Sequence, residues 1–341
     1  MRGAAGGLRF GSGIVTESTP SLSVILATHD NFASIAATVR YLARQTAASA
    51  IELVIVAPDQ SKLGADESLL ACFGAVCVVE HPGVGSPSRY NAAGVRRATA
   101  PIIALAEDHC FPDSDWAERL IAAHRGPWAA VGPAVRNANP GSCASWADCL
   151  IGYGPWLEPV ARGEVEFLPG HNCSYKRAIL LEDEALLERW LEAETLWHWE
   201  LRRRGERLLL EPAARVAHTN FSRWSSFLPA NFYNGRLFAA SRSCGMSPAR
   251  RVIYVLLGPM IPMVRAARVA RAVFRSPALL GRFCLAMPAL LMGLTCDGFG
   301  QMLGYAFGAG NAHRQAAAYE WRRDRHVTEH DRRRLLEAAA E

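Results

Sequence analysis

The sequence predicts an α/β domain built on a mostly parallel sheet flanked by helices, followed by an apolar α-helical segment. Short β-branched apolar runs recur through the first third of the chain, and stretches of helical spacing separate them. Two strongly apolar stretches then follow a composition shift near residue 250. Strand and helix in alternation imply parallel strands with helices on both faces.

Residues 1–20 are Gly-rich and read as a flexible tail. SLSVILAT (21–28) has the length and branching of a buried strand, and 32–45 carries Ile35, Val39 and Leu42 on one helical face. IELVIVA (51–57), AVCVVEH (75–81) and PIIALAE (101–107) read as three more strands, with a helix over 88–98 between the last two. The core domain spans 21–222, amphipathic connecting helices 223–250, an apolar helical segment 251–310 and a charged tail 311–341. In sheets of this kind ligands bind beyond the carboxyl ends of the strands, here near 28–30, 57–60, 80–83 and 107–109.

Composition narrows the field. Of 341 residues half are apolar, enough for a sizeable core. The net charge of +5 is mild and points to no nucleic-acid partner, and all but two of the 37 basic residues are Arg. Nine scattered Cys without a CxxC pair predict reduced thiols and no structural zinc. MRGAAGGLRFGSG lacks the apolar centre of a signal peptide, so the expected compartment is the cytoplasm.

The most informative stretch is IIALAEDHCFPDSDW (102–116). A buried strand delivers Glu107, Asp108 and His109 to its carboxyl end, where unpaired acids cost several kcal/mol each. A divalent cation suits them: oxygen ligands fit magnesium or manganese, and a His leans towards manganese. Positions i and i+2 project to one side, so Glu107 and His109 share the ion and Asp108 points away.

That segment is similar to the aspartate-any-aspartate motif of family-two glycosyltransferases of the GT-A fold, in a variant ending in His. Four further segments resemble the same family in order: 23–45, SRYNAAGVRRATAPIIALAED (88–108), LPGHNCSYKRAIL (168–180) and RRRGERLLLEPAARVAH (202–218). The resemblance covers about two thirds of the chain. It implies a nucleotide-sugar donor, a divalent metal (Mn or Mg) and inverting displacement onto an acceptor hydroxyl of a glycan or lipid, as in cell-envelope polysaccharide or glycolipid synthesis. It puts Thr28, Arg89 and Asn91 near the nucleotide and His218 on the metal as a further ligand; Tyr233 and Arg236, in NFYNGR, read as contacts for the leaving pyrophosphate because a guanidinium suits phosphate. Counting back from Gly205 puts the general base at Glu194, with Glu192 the fallback and Glu200 a solvated helix residue. Two positions depart from the pattern. Ala193 replaces the acid before the base, and Ala57 replaces the Asp that holds the uracil, leaving Asp59 as its substitute and the nucleobase open.

The apolar segment is too broken for simple spans. The first stretch, 252–264, holds Pro259 and Pro262; the second, from 283 towards Gly310, holds Pro288, Asp297 and Gln301. Basic residues flank both, including Arg265, Arg268, Arg271, Arg275 and Arg282. Such flanks predict interfacial or re-entrant helices on the inner leaflet, placing the chain on the cytoplasmic face of the cell membrane. The rival for this segment is a helical hairpin packed on the core domain. The rival functions are a non-catalytic nucleotide-sugar-binding protein of the same fold, suggested by Ala57 and Ala193, and a nucleotidyltransferase. HDNFAS (29–34) has no Gly-rich loop after the first strand, which counts against the latter and against a dehydrogenase.

Overall fold

The structure is a computed structural model that describes residues 19–83 and 85–340. The expected tail lies outside the described residues from 1 to 18. The strands are β1 (Leu22–Ala27), β2 (Ile51–Ala57), β3 (Ala75–Glu80), β4 (Ile102–Ala106), β5 (Cys110–Pro112), β6 (Ala130–Asn137), β7 (Gly163–Val165), β8 (Ser174–Lys176) and β9 (Leu208–His218). They form one sheet in the order β3-β2-β1-β4-β8-β6-β9-β5, with β7 beside β9. The helices that bear on function are α1 (Phe32–Ala43), α2 (Pro87–Arg97), α3 (Cys143–Tyr153), α4 (Glu194–Arg203), α5 (Trp224–Ser243), α6 (Pro248–Leu256), α7 (Ile261–Phe274), α8 (Leu280–Phe307), α9 (Ala312–Glu320) and α10 (Glu329–Ala340).

β1 to β4 run parallel, as continuous apolar runs buried on both faces should. β8 then pairs antiparallel to β4 and β6, and β9 pairs parallel to β6 but antiparallel to β5. The sheet is therefore mixed in its second half. One buried acid ties its parallel half together: Glu52 on β2 accepts from Ser23 on β1 and from Thr99 N (2.7 Å) and Oγ1 (2.9 Å) ahead of β4. Its charge is tolerated because several donors surround it.

The apolar segment has two faces. Phe283, Ala286, Leu290 and Leu294 of α8 join the same apolar core as β1 and β2. α8 crosses α5 at backbone distance: a Cβ on Gly300 would stand 2.0 Å from the Phe232 carbonyl oxygen, and one on Gly304 2.4 Å from that of Arg236. Small residues at such a crossing let two backbones meet. The opposite face of α6–α8 leaves Leu256, Met263, Phe274, Leu285 and Phe307 exposed.

The breaks fall differently from the expectation. α6 and the helical stretch Gly258–Phe274 are bent by 49° at the Pro259 region, as two prolines in one turn require. α8, by contrast, runs unbroken through Pro288, Asp297 and Gln301. A single proline removes one ladder hydrogen bond, which packing along the 28-residue helix offsets. Asp297 is neutralised inside the protein, 2.5 Å from Arg265 and 2.8 Å from the Gln301 amide. Arg265 thus turns inward and does not join its neighbours Arg268, Arg271, Arg275 and Arg282, which are exposed.

Candidate active site

The carboxyl end of β4 carries the site. Glu107 follows the last strand residue, and its carboxylate is nearly enclosed. The chain then turns through Asp108 and His109 into β5, where Cys110 registers against His218 at the end of β9. That register brings two histidines from distant segments together, with ring centroids 4.9 Å apart. A ligand atom of each of Glu107, His109 and His218 lies within 4.8 Å of the others.

Each imidazole is oriented from behind. His109 Nδ1–H donates to Asp108 Oδ1 at 2.6 Å, and His218 Nδ1–H donates to Asn220 Oδ1 at 3.0 Å. Asn220 is itself held by Asn137 and Asn139. Both Nε2 lone pairs therefore aim at Glu107, at 3.7 and 3.6 Å. These separations are too long for hydrogen bonds, and His109 Nε2 is buried without a partner. Two ligands each about 2.1 Å from one ion and 90–110° apart stand about 3.0–3.5 Å from each other, so the spacing suits a divalent cation. Burial pushes the His218 pKa well down, keeping the ring neutral as a ligand must be. Asp108, read as one of the metal residues, is engaged on His109 and stands behind the cluster, the usual place of a carboxylate that fixes a ligating imidazole.

The opposite wall comes from the turn Gly170–His171–Asn172, which precedes β8. Gly170 has φ 83°, and a Cβ there would lie 2.7 Å from Glu194 Oε2. Only glycine satisfies both conditions. Asn172, also left-handed at φ 64°, donates from Nδ2 to Glu107 Oε2 at 2.9 Å. His171 lies between two acids, 3.6 Å from Glu107 and 3.5 Å from Glu194. Burial lowers its pKa, but the Glu194 and Glu107 carboxylates outweigh that and lift it to about 9. Glu194 opens α4, and burial raises its pKa in spite of His171. Its Oε1 has no hydrogen-bond partner. The turn rests on His198, which accepts from Leu168 N–H at 3.3 Å and meets the Tyr175 hydroxyl at 2.9 Å. Burial keeps that ring neutral, its pKa pushed down to about 3.

The fold of this domain is shared with known enzymes. Residues 23–182 match the family model "Glycosyl transferase family 2". The part of the chain built on β1–β4 is therefore similar to glycosyl transferase family 2. Among solved structures, a mannosyltransferase from Pyrobaculum calidifontis, bound to GDP-Man and Mn2+, superposes with a TM-score of 0.51. The two are 13% identical, and the match covers 85% of this chain and 88% of that one. TarS 1–349 of S. aureus in complex with UDP matches at a TM-score of 0.45 and 16% identity, over 84% of this chain and 92% of that one. No curated protein matches the sequence. The chain thus has the GT-A fold, with a mixed sheet flanked by helices and one long apolar C-terminal helix.

The remaining residues singled out from the sequence divide in two. Asn91 is buried against the cluster, lining a small cavity with Glu107, Asp108 and His109, and Arg89 lines a larger cavity next to it. The other three are engaged by other groups of the protein. Thr28 Oγ1 accepts from Asp30 N (3.0 Å) and meets Ser34 Oγ (2.8 Å), shaping the turn after β1. Asp59 caps a single turn through Ser61 and pairs with Lys62 at 2.8 Å, and these partners lower its pKa to about 2. Arg236, assigned to the pyrophosphate, donates instead from Nε to the Gly308 carbonyl (3.0 Å) beyond the end of α8. Glu192 pairs with His313 at 2.6 Å, while Glu200 binds Arg203 and Arg204 on the outer face of α4. His171, Asn172 and Glu320 are site residues that sequence reasoning did not assign. The first two sit in the GHN turn, whose glycine was the legible signal.

If Glu107, His109 and His218 hold one cation, Glu107→Gln should weaken Mn2+ binding by about 100-fold or more, the upper end of what losing an outer-shell partner costs. Calorimetry on metal-free protein reads this. Equal affinity in the variant would place the ion elsewhere.

Proposed function

We propose that this chain transfers a sugar from a nucleotide-sugar donor to a hydroxyl acceptor in a single inverting displacement, with Glu194 as general base. The observation that carries the reading is a buried, partnerless carboxylate oxygen on Glu194 joined through His171 to the three-residue cluster at the end of β4. A bound Mn2+ or Mg2+, held by Glu107, His109 and His218, would supply positive charge to the donor diphosphate; the Pyrobaculum mannosyltransferase is in complex with GDP-Man and Mn2+.

In the proposed reaction the acceptor hydroxyl gives its proton to Glu194 while its oxygen bonds to the anomeric carbon. The bond from that carbon to the diphosphate oxygen breaks, and its electron pair leaves with the nucleoside diphosphate. Burial makes Glu194 a stronger base than a solvated carboxylate. A cavity of about 220 Å³ beside it, lined by His171, Ala193, Asn234, Leu237 and Phe238, has a largely apolar wall from α5 and suits the acceptor.

The acceptor reading extends to the membrane. The exposed apolar residues of α6–α8, with Arg268, Arg271, Arg275 and Arg282 on the same segment, form a surface for the anionic inner leaflet. The arrangement is interfacial, because the inner face of α8 belongs to the core. A lipid-linked acceptor would then enter along α5.

Glu194→Gln preserves shape and removes the base. Its turnover should fall by about 100-fold or more with donor affinity retained, measured as nucleotide release across a panel of nucleotide-sugars. Full turnover in that variant would eliminate Glu194. In a separate sedimentation assay, the full-length protein should pellet with phosphatidylglycerol vesicles, and Leu256→Glu combined with Met263→Glu should release it. Protein that stays in the supernatant with such vesicles contradicts the membrane reading.

A further inference from the structure

The charged tail does not trail away from the domain. After α8 the chain turns at Gly308 and Gly310, with φ 75° and 54°, and α9 runs back over the carboxyl edge of the sheet. Trp321 is buried there: its ring stacks on His29 at 5.5 Å and 17°, meets Tyr90 edge-on, and donates from Nε1 to the Gly85 carbonyl at 3.2 Å. Arg322, held left-handed at φ 59°, pairs with Asp30 at 2.8 Å. Glu320 lines the small cavity that contains Glu107 and His109. Beyond this strap the chain is fastened again, by Arg223 to the Val327 carbonyl and by Thr328 N–H to Ser222.

Two cavities meet at Trp321. The larger, of about 910 Å³, is walled by His29, the start of α2 at Arg89, and Arg314, Arg322 and Arg325 of the strap, so it is basic and wide enough for a nucleotide. The smaller, of about 30 Å³, holds the Glu107–His109 cluster and has Glu320 and Trp321 for its wall. That indole lines both cavities, and the carboxylate of Glu320 stands with it on the cluster's side. A planar ring stacked on His29, with an N–H satisfied by a backbone carbonyl, also makes the kind of contact a nucleobase makes.

We propose that Glu320 and Trp321 form a gate between the basic cavity and the cluster, and that a nucleoside diphosphate reaches the cluster only when the strap swings out on its Gly308–Gly310 hinge. The inference rests on the nucleotide-sugar reading above. The strap and the donor compete for one place, and apparent affinity falls with the fraction of molecules already open. Removing the competing contact must therefore tighten binding.

The test is calorimetry of UDP, GDP, ADP and dTDP, each with Mn2+, on the full-length protein and on Trp321→Ala, Trp321→Phe and Asp30→Ala. Trp321→Ala should bind the diphosphate that wild type prefers roughly tenfold more tightly or better. Asp30→Ala removes the tie to Arg322 from the other side and leaves the residues that wall the large cavity in place. It should act in the same direction, and it serves alone if Trp321→Ala does not fold. Trp321→Phe should stay near wild type. In steady-state donor turnover KM should fall while kcat changes little, a split that mere loosening of the fold would not give. Hydrogen exchange within 312–326 should speed up when nucleotide is added to wild type. Weaker or unchanged binding in both Trp321→Ala and Asp30→Ala overturns the gate and leaves the transferase reading intact. Failure of wild type and every variant to bind any of the four diphosphates overturns both.

Discussion

A carboxylate that cannot stay unpaired governs this molecule. Glu107 sits at the carboxyl end of a fully buried strand, and among the described residues its carboxylate accepts one hydrogen bond, from Asn172. Three imidazoles surround it at 3.6–3.7 Å, just beyond bonding distance. Desolvation of such a group costs several kcal/mol unless something of opposite charge fills the gap. The sheet topology serves that geometry. β5 turns straight back from β4 to meet β9, so His109 and His218 arrive from sequence positions more than a hundred residues apart, and β8 brings Asn172 in from the other side.

Much of this was legible in the sequence, for a physical reason. Strands buried on both faces must be continuous apolar runs, so β1, β2 and β4 stand out, and the acid triplet that follows β4 breaks the pattern visibly. Glu107, His109 and His218, each singled out from the sequence, come together with Glu194 nearby, while Asp108 turns to His109. Three-residue strands such as β7 and β8 carry no such signal, and the antiparallel half of the sheet went unread. Thr28 and Asp59 show a different difficulty. Short polar side chains at strand ends bond readily to their own turns, and nothing in the local sequence separates that use from ligand binding. Arg236 lies on the predicted helix, yet its partner is the carbonyl of Gly308, a contact across 72 residues.

The C-terminal third joins the apolar surface to the chemistry. α8 packs on α5 at backbone distance, and α5 lines the cavity beside Glu194. Exposed apolar residues on α6–α8 therefore belong to the same rigid unit as the acceptor-side wall. The strap leaves the end of α8 and lies over the basic cavity, where Trp321 stacks on a histidine 292 positions earlier. Composition alone describes 311–341 as a mixed charged tail; its role appears only when the sheet edge it covers is known.

The central claim is that one divalent ion lies among Glu107, His109 and His218. Crystals soaked in Mn2+ and measured for anomalous scattering at the manganese edge test it directly. The account predicts a single strong peak about 2.1 Å from one Glu107 oxygen and from both Nε2 atoms, with Asp108 still bonded to His109 Nδ1. A peak ligated by Asp108 in place of either histidine, or no peak at the end of β4, would contradict it.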